Sequence, residues 1–181
     1  MTASIFLAEV FRCFTALLLL CAAVSKLRSF AEFRRNLSDS FGMRAAVAAW
    51  LAPAIVGLEF ALSAIIAGSS GAGVAGAGAM AATLLMFAVF TAVVARQYVR
   101  EGIVRCSCFG EAGRSVSAYD LLRNALAMAC MAFQLACAGD SSAFSPAAWF
   151  MAAGLATLLT VVAVEFHDMA MLLAHARDGN I

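Results

Sequence analysis

The chain has 181 residues, of which 64% are hydrophobic and only 13% charged, against roughly 45–50% apolar and 25% charged in an ordinary soluble domain. A mean hydropathy of +0.93 excludes a water-soluble globule, and the length accommodates about five membrane helices of ~20 residues with no room for a second folded domain. A formal net charge of +1 provides no basic field for nucleic acid, so none is expected as a partner; six cysteines are too few for a disulfide-stapled mini-domain.

The expected fold is all-α: one integral-membrane domain over 1–181, a polytopic bundle whose main partner is the lipid bilayer. Long uncharged runs place the spans, because an unpaired charge at mid-bilayer costs ~2.5–3.5 kcal/mol even on the lenient insertion scale. The first helix is expected over about 5–24. It is read as retained rather than as a signal peptide, since Lys26 and Arg28 follow the apolar run and Glu9 and Arg12 interrupt it. Phe30, Phe33, Leu37 and Phe41 then recur at helical spacing opposite Arg34 and Arg35, the pattern of a helix along the headgroups or of an ordinary amphipathic connector. The second and third spans are expected over 46–67 and 73–95. No charge occurs between Phe60 and Ala95, so only the Gly68-Ser69-Ser70-Gly71 break divides them into a hairpin. Residues 71–76 match G-x-G-x-x-G literally, but no strand precedes them, which excludes a dinucleotide fold. Gly73, Gly76 and Gly78 are read instead as small residues for close helix approach. The fourth and fifth spans are expected over 119–138 and 146–166, with Pro146 suited to a first helical turn and a tail over 167–181.

Basic residues are one-sided. Lys26, Arg28, Arg34, Arg35 and Arg44 lie in the first connection, Arg96, Arg100, Arg105 and Arg114 in the third, and Arg177 in the tail, while the opposite loops carry none. The positive-inside rule therefore predicts an external amino terminus and a cytoplasmic loop around Cys106.

That loop holds the sharpest local motif, Cys106-Ser107-Cys108-Phe109-Gly110. Two thiols two residues apart can close a small strained disulfide, the labile and reactive kind. Arg105, with Arg100 and Arg114 nearby, favours thiolate, as does a following helix start if Ser117 and Asp120 cap it. Two unpaired loop thiols are the plainer alternative, and a tetrahedral metal site with His167 and His175 is a third. No metal is predicted.

Charges inside the spans form a second constellation. Counted from the outer surface, Arg12 and Glu59 lie at matching depth and are expected to pair, with Glu9 sharing Arg12. Arg123 and Glu165, near the inner ends of helices four and five, form a second expected pair. A structural ion pair and a proton or substrate role both fit. Cys13, Cys21, Cys130 and Cys137 also lie within spans. Cys13 and Cys21 are eight residues apart, roughly 12 Å along a helix and too far for a direct disulfide, so packing as small hydrophobes accounts for these four better than a thiol relay.

With Ser25-Lys26-Leu27 closing helix one, Pro53 and Glu59 in helix two, Cys106-Ser107-Cys108-Phe109-Gly110 before helix four and Arg123-Asn124 inside it, the chain resembles the MauE family over roughly residues 1–140. These are methylamine utilization membrane proteins of the wider DoxX-like group. The resemblance implies a DoxX-like four-helix core, to which a C-terminal helix is added here, in a bacterial inner membrane. It implies a role in maturing the disulfide-rich small subunit of periplasmic methylamine dehydrogenase, with the thioredoxin-like MauD as companion. Cys106 and Cys108 occupy the family's paired-cysteine positions, so the redox role carries over to them alone. Disulfide maturation happens outside, whereas the charge count puts the loop inside. Either the protein passes electrons outward from a cytosolic thiol, or the loop re-enters the membrane. A non-catalytic scaffold or export factor is the alternative of a different class. Quinone-linked thiol oxidation fits a bundle of this size, but no residue pattern marks a quinone site, and no cofactor is expected.

Overall fold

The computed structural model describes residues 3–39, 42–69, 73–101, 118–137 and 145–166, and these are all helical apart from short connections. The helices, in chain order, are α1 (Ala3–Arg28), α2 (Phe30–Asp39), α3 (Ala45–Gly68), α4 (Val74–Glu101), α5 (Ala118–Cys137) and α6 (Pro146–Val164). Six helices are what the chain order predicts: five long ones and an amphipathic connector. The expected bounds of the second, fourth and fifth long helices hold to within two residues. α1 and α4 run past their apolar stretches, to Arg28 and Glu101, because the backbone hydrogen-bond ladder does not require an apolar side chain and end residues such as Arg28, Arg96 and Arg100 stand exposed.

Among the described residues, four helices are long and apolar enough to cross a membrane: α1, α3, α4 as far as Arg100, and α6. The expectation was five. α5 has the length but carries Asp120, Arg123, Asn124 and Gln134, which lower its apolarity below that of the others. It nevertheless packs along α4: Asn124 Nδ2 donates to Thr91 Oγ1 at 3.3 Å, and Leu121 packs by Val94, a register that lays α5 antiparallel to α4. This is a polytopic helical membrane bundle.

The arrangement follows from which faces are small or apolar. α1, α3, α4 and α5 close a four-membered ring, each packing on the next, and α6 lies outside it against α1. α1 is therefore buried on several sides. Its antiparallel register with α3 is marked by Ser63 Oγ donating to Ala16 O at 2.8 Å, and its packing on α5 by an edge-to-face contact of Phe11 and Phe133 with ring centroids 5.5 Å apart. All five long helices share one core, including Phe14, Leu18 and Leu19 of α1, Ile66 of α3, Met80 of α4 and Met131 of α5. α6 contributes Ala152 and Ala156, both fully buried, with Thr160 one turn on. Small residues at every fourth position let its backbone approach α1 closely. Ser145 caps α6 by accepting from Ala148 N at 3.3 Å, and Pro146 occupies the first turn as its missing N–H allows.

α2 seats Phe33 and Leu37 on Ala48, Ala52 and Val56 of α3, leaving Arg34 and Arg35 exposed. The glycine reading needs one correction: Gly78 faces open space rather than a neighbouring helix.

Candidate functional site

Cys106, Cys108 and Arg105, the predicted redox pair and its thiolate-stabilising neighbour, lie outside the described residues, as do His167 and His175. The residues that flank the loop, Glu101 and Ala118, are at the end of the bundle where α1 finishes and α3 begins.

At the end where α1 begins, Arg12 and Glu9 are both 3% exposed. Arg12 Nε donates to Glu9 Oε1 at 2.9 Å, and Nη2 donates to the same oxygen. Nη1 donates to the backbone carbonyls of Ile66, of Ala67 at 3.4 Å and of Ser69 at 2.6 Å. The last carbonyls of a helix lack intrahelical partners and carry the negative end of its dipole, so a buried guanidinium there satisfies acceptors and neutralises charge together. The Trp149 ring of α6 covers the cation, 5.2 Å from its centroid.

The expected Arg12–Glu59 pair is therefore not formed. Glu59 instead accepts from Lys26 Nζ at 2.7 Å, and both side chains are 7% exposed. The physical reason is that helical side chains lean toward their own amino termini. In antiparallel helices, Lys26 at the finishing end of α1 reaches back toward mid-bundle, while Glu59 leans toward the start of α3 to meet it. Lys26 is also not a loop base, since α1 continues through it. Its Nζ lies 5.7 Å from the Phe33 ring centroid of α2.

The second expected pair, Arg123 with Glu165, is not formed either. α6 packs on α1 rather than α5, so Glu165 stands exposed at the carboxyl end of α6. Arg123, 7% exposed, lies 3.7 Å from Asp120 one turn away. Asn124, which the motif singled out, is buried and joins α5 to α4 through Thr91. Counting four residues from the Ser63–Ala16 contact sets Glu59 opposite Leu20. Counting ten from Phe133–Phe11 sets Arg123 opposite Cys21. The two charged residues thus share a height on opposite walls of the ring.

Sequence reading missed Gln134, 2% exposed and with no hydrogen-bond partner for Oε1, and the role of Trp149. Cys13, Cys21, Cys130 and Cys137 are all free thiols. Cys13 and Cys130 pack against the shared core, in keeping with their reading as small apolar residues.

Chemically, the described interior holds charge in pairs, with cations on α1 and α5 and acids on α1, α3 and α5. α4 finishes and α5 starts at the end of the bundle that also carries Lys26, Glu59, Asp120 and Arg123. Neither curated proteins nor solved structures give a significant match. A family model, described as methylamine utilisation protein MauE, matches residues 4–138, which spans α1 to α5 and stops before α6. The chain belongs to the MauE family of methylamine utilisation proteins.

Proposed function

We propose that this protein assists maturation of the disulfide-rich small subunit of methylamine dehydrogenase in the bacterial inner membrane, through thiol–disulfide exchange at Cys106 and Cys108. The reading rests on family membership together with the C-x-C pair. Nothing else in the chain offers two thiols two residues apart beside a cluster of arginines. In the exchange, a thiolate of the partner attacks the loop disulfide, the S–S bond breaks, and the departing sulfur takes a proton. Reduction of the loop is matched by oxidation of a partner dithiol. The thioredoxin-like MauD is the companion expected to take part.

The same reading sets the amino terminus in the periplasm and the Cys106 loop in the cytoplasm. Withdrawing Lys26 from the loop tally, because it is buried in a pair, leaves nine bases on that side and none in the opposite loops. A cytosolic thiol donor then reduces the loop pair by exchange. Labelling Cys106 and Cys108 with a membrane-impermeant thiol reagent in inverted vesicles is the check on side, and labelling only in intact cells overturns the cytoplasmic placement and its cytosolic donor. Replacing both cysteines by serine abolishes maturation of the small subunit on this account. Full maturation in that variant rejects thiol exchange and leaves a non-catalytic scaffold or export factor for the subunit or MauD.

A further inference from the structure

Among the described residues, two ion pairs have both partners buried in the interior of the bundle, and they are completed to different degrees. At one end Arg12 is fully engaged: Glu9 takes Nε and Nη2, α3 carbonyls take Nη1, and Trp149 covers the face. Toward the other end, Lys26 Nζ donates to Oε1 of Glu59 at 2.7 Å. Glu59 Oε2, on a residue 5% exposed, has no hydrogen-bond partner.

A carboxylate shares its charge over both oxygens, so an ionised Glu59 leaves half of that charge in apolar surroundings without a donor, at the full desolvation cost. A proton on Oε2 removes the charge and leaves Oε1 as a carbonyl acceptor for the same ammonium. Lys26 does not depend on the carboxylate alone, because the Phe33 ring lies within cation–π range. The cation therefore keeps an attractive contact and a carbonyl acceptor when its partner is neutral, which lets the pair hold its geometry in two protonation states.

We propose that Glu59 is a reversible proton-binding site within the membrane domain, taking up its proton at Oε2 while Lys26 and Phe33 hold the geometry. Uptake forms one O–H bond with a proton from water at the Lys26 end. Nothing is oxidised or reduced. The inference stands whether or not the loop cysteines exchange.

The ionisable groups around it are few. α1 presents Lys26. α2 carries Glu32, Arg34, Arg35 and Asp39, yet packs on α3 through Phe33 and Leu37. α4 carries exposed Arg96 and Arg100, with Tyr98. α5 carries the Asp120–Arg123 pair at the same height.

The test is infrared spectroscopy of the full chain in lipid nanodiscs, following the carbonyl stretch of a protonated carboxyl through a pH titration in light and heavy water. One titrating band is expected that shifts in heavy water, disappears in Glu59→Gln and persists in Asp120→Asn. If Glu59→Gln does not fold, Glu59→Asp serves. There the band persists at a displaced frequency, and a band unmoved in Glu59→Asp overturns the proposal. A band unchanged in Glu59→Gln overturns it too. So does the absence of any protonated-carboxyl band across the pH range where the protein stays folded, which means that Oε2 takes its hydrogen bond from buried water and Glu59 remains ionised.

Discussion

Arg12→Met removes one side chain and leaves two kinds of debt in the bundle. Glu9, 3% exposed, loses the cation that donates to its Oε1 through Nε and Nη2. The carbonyls of Ile66, Ala67 and Ser69 at the end of α3 lose their shared donor. Breaking a buried pair from one side costs about 3–5 kcal/mol, a shift of roughly a hundredfold to several thousandfold in the unfolding equilibrium. The carbonyl share is smaller: at ~0.6 kcal/mol for an average interhelical hydrogen bond in a membrane protein, three amount to about 2 kcal/mol. The double variant Glu9→Gln/Arg12→Met retains only this second loss, so it is expected to recover about half of what Arg12→Met loses. Equilibrium unfolding in mixed micelles, compared across wild type, both single variants and the double, reads these differences. A cost below ~1 kcal/mol for Arg12→Met, or a double variant no better than the single, refutes the reasoning, because it means that Glu9 is not the charge that Arg12 neutralises.

Other consequences are simpler. Ser63→Ala removes one neutral interhelical bond, to Ala16, and is expected to cost about 0.6 kcal/mol in the same assay, far less than the ion-pair variants. Trp149→Leu keeps an apolar side chain but removes the ring over Arg12; a loss of about 1–2 kcal/mol is expected, and it should vanish in an Arg12→Met background. Phe33→Ala empties the seat of α2 on Ala48, Ala52 and Val56 at a cost of about 3–5 kcal/mol. It should expose the α2 segment to protease before the rest of the bundle unfolds.

Much of this architecture is legible in the amino-acid order, for reasons that stop at identifiable points. Apolar runs locate the long helices because lipid penalises charge, although α5 keeps Asp120 and Arg123 and falls short of the other four in apolarity, and the Phe30 to Leu37 spacing marks α2 because an amphipathic helix must bury one stripe. Partner choice is harder. Depth counting joins Arg12 to Glu59 because it sets the outer ends of α1 and α3 level, whereas the Ser63–Ala16 contact sets Arg12 opposite Ala67 and Glu59 opposite Leu20; the freed carbonyls that Arg12 meets at the end of α3 leave no trace in residue types. For Lys26 a signal did exist. Arg12, Ala16, Leu19 and Ala23 recur along the face of α1 toward α3, and Lys26 continues that stripe by one more step of three. Reading it as a loop base followed charge alone. The docking of α6 on α1, and hence the exposure of Glu165, depends on which face the buried Ala152 and Ala156 stripe meets. That is a tertiary outcome with no pairing rule in the chain.

The central claim is that Cys106 and Cys108 are an exchangeable pair while the four cysteines within the helices are packing residues. Differential alkylation and mass spectrometry of all six cysteines, in cells growing on methylamine with and without the thioredoxin-like companion, tests it most directly. The account predicts that Cys106 and Cys108 divide between thiol and disulfide in proportions that shift when the companion is removed, with Cys13, Cys21, Cys130 and Cys137 constant as thiols. Two loop sulfurs that stay in one state under every condition, inert to added reductant and oxidant alike, contradict it.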